Sequence, residues 1–168
     1  IDLRDGAQIF VNDNLNEEFV FGNGTSYGNE IYLEKKNGKF TGWIGYTLSL
    51  NELEFPDIRN GDPFPPRYDT RHDLSVVALL QLNRRWNLTA TWIFTSGAPT
   101  TIPIGRFFIQ DIVGADPQFV IPEYSLRNDF RMPNFHRMDL GVVCKFWHNW
   151  GTSDLTLSIY NAYDRRNP

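Results

Sequence analysis

From Trp86 to Thr95 the chain alternates almost without fault: Trp86, Leu88, Ala90, Trp92 and Phe94 fall on one side, and Asn87, Thr89, Thr91, Ile93 and Thr95 on the other. Successive side chains of a strand point to opposite faces, so a period of two is the signature of extended backbone. The preceding stretch repeats the pattern. His72, Leu74, Val76, Ala78, Leu80 and Leu82 form an apolar row behind one histidine, while Asp73, Ser75, Val77, Leu79 and Gln81 form a mixed row. Asn83-Arg84-Arg85 joins the two arms. Arg71 to Ser96 therefore predicts a hairpin whose arms have about the length a tilted strand needs to cross a bilayer's hydrocarbon. It reads as a piece of barrel wall. In a membrane barrel the apolar row faces lipid and the polar row the lumen, whereas a soluble sheet turns its apolar row to a dry core. Periodicity alone does not separate these cases.

The 168 residues suffice for one domain with a core, or for part of something larger. Sixteen basic against twenty acidic side chains, with no basic run, argue against a nucleic-acid partner. Aromatic residues make up 15%, which suits an all-β chain or the aromatic girdles of an outer-membrane barrel. Apolar runs are only a few residues long, too short for a transmembrane helix, and negative mean hydropathy is compatible with a barrel because half of each strand is polar. Cys144 is the only cysteine, so no intrachain disulfide forms, and its period-two neighbours Leu140, Val142 and Phe146 make it an apolar filler. Ile1 to Asp5 has no signal-peptide pattern, and the chain stops at Asn167-Pro168 just after an apolar strand, so both ends are expected to be cuts in a longer chain.

Along the chain, strands are expected at Leu3 to Val11, Phe19 to Glu34, Phe40 to Leu50, the two arms of the hairpin, His136 to Phe146 and Asp154 to Tyr160. Gly22, Gly24 and Gly28 predict a bent segment near a rim. Asn37-Gly38 predicts a type I′ turn between Lys36 and Lys39. The connections then alternate: long around Asn12, short at Lys36 to Lys39, long from Asn51 to Thr70, short at Asn83 to Arg85, long from Gly97 to Asn134, short from Trp147 to Ser153. In an antiparallel up-and-down meander every second connection lies at the same end. The short turns thus share one rim and the long loops the other, as in outer-membrane barrels. About seven strands are counted, and bacterial barrels close with an even number of eight or more, so the meander is expected to be part of a larger barrel. Unpaired edges have no partners in lipid.

Several stretches resemble the C-terminal portion of TonB-dependent outer-membrane receptors of the Bacteroidetes type. They are Gly24-Thr25-Ser26-Tyr27-Gly28-Asn29-Glu30 leading into Leu33-Glu34-Lys35-Lys36, Gly42 to Ser49, Pro66-Arg67-Tyr68-Asp69-Thr70-Arg71-His72-Asp73, Ser96-Gly97-Ala98-Pro99, Arg127 to Leu140, and Tyr160-Asn161-Ala162-Tyr163-Asp164-Arg165-Arg166-Asn167-Pro168. The resemblance implies a 22-stranded transmembrane β-barrel in the bacterial outer membrane, plugged by an N-terminal domain, that imports a scarce nutrient with energy delivered through TonB. It implies as partners outer-membrane lipid, the remaining barrel strands and plug, the TonB complex through an N-terminal part, and, for glycan or peptide import, a surface lipoprotein. The chain departs from the family in having no plug, no TonB-contacting segment and no final strand with a terminal aromatic, so energised import does not belong to these residues by themselves.

Two clusters mix acid, base and imidazole: Tyr68, Asp69, Arg71, His72 and Asp73, and then His136, Arg137 and Asp139. Strand alternation points His72 away from Asp73 and His136 away from Arg137, so a general base pair or half a metal site is poorly served. Arg71, Asp73, Arg137 and Asp139 are expected instead to form a charged structural ladder on the inner face, near the outer rim. In the longest loop, Phe107-Phe108-Ile109 and Phe119-Val120-Ile121 pack the loop on itself, and Arg106, Phe107, Phe108 and Tyr124 are the candidate ligand contacts. Asp57, Asp62 and Asp69 lack the spacing of a calcium loop. Trp43, Trp86, Trp92, Trp147 and Trp150 read as girdle or wall residues, with Trp86, Trp147 and Trp150 at the short-turn end. No catalytic set, cofactor or metal is expected. A soluble all-β module with a carbohydrate-binding face of Trp and Tyr remains the alternative, and a hydrolase using His72 or His136 a third reading.

Overall fold

The computed structural model describes residues 2–3, 19–109 and 119–168, and every strand pairing in it is antiparallel. In chain order the strands are β1 (Asp2–Leu3), β2 (Phe19–Val20), β3 (Asn23–Lys35), β4 (Phe40–Glu54), β5 (His72–Gln81), β6 (Trp86–Thr95), β7 (Pro99–Thr100), β8 (Pro103–Ile109), β9 (Phe119–Tyr124), β10 (Phe130–Arg131), β11 (Phe135–His148) and β12 (Gly151–Ile159). Six of them form one sheet in the order β12-β11-β6-β5-β4-β3. The order follows the chain, a meander whose only detour is the stretch carrying the short strands β7 to β10. Among the described residues β3 and β12 do not pair with each other, so the sheet is open.

The chain divides into two units. One holds most of the sheet, residues 27–50, 70–97 and 133–168; the other comprises residues 1–26, 51–69 and 98–132.

In the sheet unit, register assembles the alternating rows into two chemically distinct faces. Phe40, Gly42, Ile44, Tyr46 and Leu48 lie opposite Leu80, Ala78, Val76, Leu74 and His72. Leu74, Val76, Ala78 and Leu80 in turn oppose Phe94, Trp92, Ala90 and Leu88. These oppose His136, Met138, Leu140 and Val142, and Leu140, Val142 and Cys144 meet Ile159, Leu157 and Leu155. Because a one-residue slip would move every apolar side chain to the wrong side, this agreement over five strands fixes the register. The other face carries Thr41, Thr47, Ser75, Thr89, Thr91, Thr95, Thr156 and Ser158. The apolar face has no second layer among the described residues: Phe40, Ile44, Leu80, Leu140, Leu155 and Ile159 are all exposed, and Leu157 keeps 70% of its surface.

The turns differ in mechanism. At the β5–β6 turn, Asn83 Oδ1 accepts hydrogen bonds from the backbone N–H groups of Arg85 (2.8 Å) and Trp86 (2.9 Å), an Asx turn. Between β3 and β4 only Gly38 has positive φ (+104°), and Asn37 does not, so the expected type I′ turn is replaced by a four-residue loop needing a single left-handed position. The last connection is shorter than the sequence suggests, because His148 still pairs with Gly151 and leaves Asn149-Trp150 as the turn.

Other boundaries move as well. The expected Phe19 to Glu34 strand breaks at Phe21-Gly22, where a side chain on Gly22 would collide with the Glu54 carbonyl and the Phe55 ring. Gly24 and Gly28 do not interrupt β3. β4 runs on to Glu54, held by a bridge from Leu53 to Phe64. Of the expected strand Leu3 to Val11 only Leu3 is described, paired with Phe19; the rest, and the Asn12 loop up to residue 18, lie outside the described residues. The Gly97 to Asn134 stretch is no structureless loop: β8 and β9 form a hairpin, and β7 pairs with β10.

The second unit has a small dry core of Val20, Phe55, Ile58 and Phe64, backed by Leu53. The turn at Arg59–Gly61 seals it, with Arg59 (φ +54°) and Asn60 (φ +56°) in the left-handed region.

Candidate functional site

On the polar face of the sheet the four residues of the expected ladder do not form one run. Asp73 accepts a hydrogen bond from Thr95 Oγ1 at 3.0 Å on the neighbouring strand. Arg137 and Asp139 sit on β11, and β6 separates them from β5, so the two carboxylates belong to separate networks. Arg137 Nη2 lies 3.0 Å from Asp139 Oδ2, and its guanidinium covers the Tyr160 ring at 4.1 Å while donating to the Tyr160 hydroxyl. Asp139 Oδ1 also accepts from the Asn161 backbone N–H at 2.9 Å. Both Arg137 and Asp139 are thereby satisfied by the segment that follows β12. The Arg71 side chain makes no hydrogen bond or ion pair among the described residues.

His72 and His136 point to the apolar face and carry tyrosine partners. Tyr46 Oη and His72 Nδ1 are 2.9 Å apart; His136 Nδ1 and Tyr163 Oη are 2.6 Å apart, and Trp92 Nε1 donates to the same hydroxyl at 3.3 Å. Stacked Trp92, Phe94 and His136 complete an aromatic border at the long-loop end of the strands. Asp73 and Asp139 project from the opposite face, so neither imidazole has the carboxylate partner a general base would use. At the other end Trp86 and Phe146 lie on the apolar face. Trp147 does not: its parity places it on the polar face, opposite Thr152, and not in a girdle. Trp43 also faces the polar side, against Tyr32 with ring centroids 5.8 Å apart. Cys144, buried between Trp86 and Leu155 in register, fills the apolar face as its neighbours suggest.

In the second unit, Arg106 and Phe107 lie on β8 and Tyr124 ends β9. Arg106 opposes Pro122 and Phe107 opposes Ile121, so alternation puts Arg106 and Tyr124 on one face of the hairpin and Phe107 on the other. All three are exposed. They do not converge on one pocket. Phe108 is placed in β8, but its side chain lies outside the described ones.

The most organised polar group of this unit is built on Asp69, which the sequence places in the Tyr68–Asp73 cluster without marking its partners Arg131 and Asn51. Asp69 is fully buried and ion-paired to Arg131 Nη2, and it accepts a hydrogen bond from Asn51 Nδ2 at 3.0 Å. Asn51 Oδ1 accepts in turn from Ser26 Oγ at 2.6 Å. Burial pushes the Asp69 carboxyl up, but the hydrogen bonds from Arg131 and Asn51 and the charge of Arg131 outweigh it and hold its pKa below the ordinary value of 3.8. Further bonds tie the same segments: Asn128 Nδ2 donates to the Pro65 carbonyl (2.9 Å) and Arg59 Nη1 to that of Arg127 (3.3 Å). The arrangement fastens chain segments and offers no open reactive group. Among the described residues no three His, Cys, Asp or Glu side chains are grouped to hold a metal ion.

Comparison with models of known families, with curated proteins and with solved structures finds no match to this chain.

Proposed function

We propose that the chain is a barrel-wall and outer-rim segment of a TonB-dependent receptor that takes up a nutrient across the bacterial outer membrane. One observation carries this reading: a sheet with a continuous, uncovered apolar face bordered by aromatic rows at both ends. His136 and Phe146 are ten residues apart on β11, about 33 Å along a strand and about 25 Å along the membrane normal at a tilt of about 40°. That is the height of the apolar band of outer-membrane barrels. Open edges at β3 and β12 are what a wall segment presents to neighbouring strands. Long connections after β4 and β6, against short ones after β3, β5 and β11, supply the rim asymmetry.

In this reading the apolar face meets outer-membrane lipid, the hydroxyl-rich face lines the lumen beside the plug, and the long connections form the extracellular rim. The chemistry is transport and not catalysis, and the TonB complex and any surface lipoprotein act on other parts of the receptor or on that rim. The test is electrophoretic. An antibody against residues 97–134 is used on outer-membrane fractions, unheated and boiled in SDS. A band several times heavier than 19.5 kDa that shifts on boiling is expected. A soluble band near that mass, indifferent to heating, refutes the barrel and favours a soluble binding module.

A further inference from the structure

Positive charge is concentrated at the short-turn end of the sheet. Residues 33–42, 79–89 and 145–154, which hold the three short turns, carry six cations, Lys35, Lys36, Lys39, Arg84, Arg85 and Lys145, against two carboxylates, Glu34 and Asp154. This end is positive by four charges in a chain whose net charge is -4. Two of the cations belong to the apolar face. The Lys35 ammonium lies over the Phe40 ring, 6.0 Å from its centroid. Arg85, in the turn that Asn83 caps, lines a hollow of about 330 Å³ together with Trp86, Cys144, Phe146, Leu155 and Leu157.

We propose that the hollow beside Arg85 is a binding site for one anionic phospholipid, its phosphate on the Arg85 guanidinium and an acyl chain along the hollow. The inference rests on the barrel reading, under which this end of the apolar face lies in the inner leaflet of the outer membrane.

The hollow is apolar apart from Arg85, and its charge stands at one edge. Hydrocarbon offers a guanidinium no partner, so the Arg85 stem packs along the apolar wall while the head reaches the headgroup layer. No carboxylate of the apolar rows is there to meet it, and Arg85 forms no ion pair or side-chain hydrogen bond among the described residues. A phosphate supplies the missing anion and accepts two parallel N–H bonds from one guanidinium. In a zwitterionic lipid that phosphate is offset by the lipid's own ammonium, so the surplus positive charge of this rim favours a lipid with net negative charge. Arg84 gives the contrast. It adjoins Arg85 in sequence but lines the polar face with Asn87 and Lys145, out of reach of a lipid on the apolar face. A seated lipid therefore distinguishes the two arginines, whereas a diffuse attraction of the rim for anions does not.

Trp86, in the lining, reports on occupancy. The full-length protein in detergent micelles is titrated with phosphatidylglycerol or phosphatidylcholine brominated in the acyl chains, and Trp86 quenching is read as the difference from W86F made in the same background. Phosphatidylglycerol should quench at a concentration about fivefold or more below that of phosphatidylcholine, the effect of one cation at an anionic lipid surface. R85Q should lose that preference and R84Q should keep it. Glycerol 3-phosphate, a headgroup without chains, should compete poorly. Absence of Trp86 quenching by either lipid means that another occupant covers the hollow, and it overturns the inference. So do equal quenching by the two lipids, equal effects of R84Q and R85Q, or full competition by glycerol 3-phosphate. Unheated and boiled bands of the same samples test the barrel separately: a retained shift with any of these results refutes the lipid site alone, and a wild-type protein without the shift refutes the barrel.

Discussion

Replacing Leu140 with lysine puts a charge within one residue of the midpoint between His136 and Phe146, the aromatic borders of β11. Its neighbours in register are Ala90 and Ile159, both on the apolar face, and Leu140 is itself exposed there. The protein therefore provides no carboxylate beside the new ammonium group, and the position is too far from either border for the side chain to reach a headgroup layer easily. At mid-bilayer depth a lysine on the lipid face costs about 2–4 kcal/mol, a factor of about 30 to 1,000 in the folding equilibrium. The control is Thr156→Lys, on the polar face of the adjacent strand and exposed. Gly141 is an unsuitable control, because a side chain there meets the Thr89 hydroxyl. Refolding of the full-length protein into lipid vesicles, followed by the heat-dependent shift in SDS gels, should show L140K largely unfolded and T156K near wild type. Equal folding of the two variants would mean that the apolar face does not meet lipid. If T156K were the worse, the faces would be reversed and the apolar row would belong to a dry core or the lumen.

Asp69→Asn removes the buried carboxylate that is ion-paired to Arg131, a loss of about 1–3 kcal/mol; proteolysis of residues 98–132 should accelerate, and an unchanged rate would refute the fastening role. Since the folded pKa of Asp69 lies below 3.8, its contribution is complete above the ordinary carboxylate range and is lost as pH falls through that lower value, so protection of these segments should persist at pH 5 and decline only in stronger acid. Asn83→Ala deletes two backbone-capping bonds in the β5–β6 turn and should cost about 1 kcal/mol in urea unfolding, whereas Asn83→Asp, which keeps the acceptor oxygen, should cost less. Gly42→Ala forces a side chain against the Val77 carbonyl at φ +153°, and should slow assembly more than Ala90→Gly on the same face.

The sheet was legible because alternation is a local property. His72–Gln81 and Trp86–Thr95 match the sequence reading almost to the residue, and the rows they predict are the rows the register builds. What lay beyond reach was set by contacts distant in sequence. Arg131 and Asp69 are 62 residues apart, and nothing in either local stretch marks the other as its partner. Phe107 and Tyr124 looked like neighbours in one cluster, but Phe107 pairs with Ile121, three residues before Tyr124, so alternation sends them to opposite faces. Trp147 was misassigned by its position near a turn, when its parity with Lys145, Val143 and Gly141 already placed it on the polar side. Pro103 and Pro122 hid β8 and β9, since proline within an apolar run argues against a strand unless the strand is at an edge, as both of these are.

The two units make opposite use of apolar side chains, and the contrast bears on what covers the sheet. In one, four residues, Val20, Phe55, Ile58 and Phe64, are withdrawn from water, so this chain builds a dry core where its backbone permits. In the other, the apolar rows of β4, β5, β6 and β11 between the aromatic borders carry no charged side chain and are more numerous, yet β12 leaves Leu155, Leu157 and Ile159 more than half exposed. Apolar surface left in water costs roughly 25 cal/mol per Å², so a face of this extent requires an apolar cover. A second sheet would meet that need, but it would want interdigitating large and small side chains and has no use for histidine, tyrosine and tryptophan hydroxyl and N–H groups at a fixed height. In the proposed reading lipid is that cover. Hydrocarbon tolerates any apolar side chain, and the amphipathic rings of the His136–Tyr163–Trp92 cluster at one end and of Trp86 at the other are the kind enriched at membrane–water interfaces.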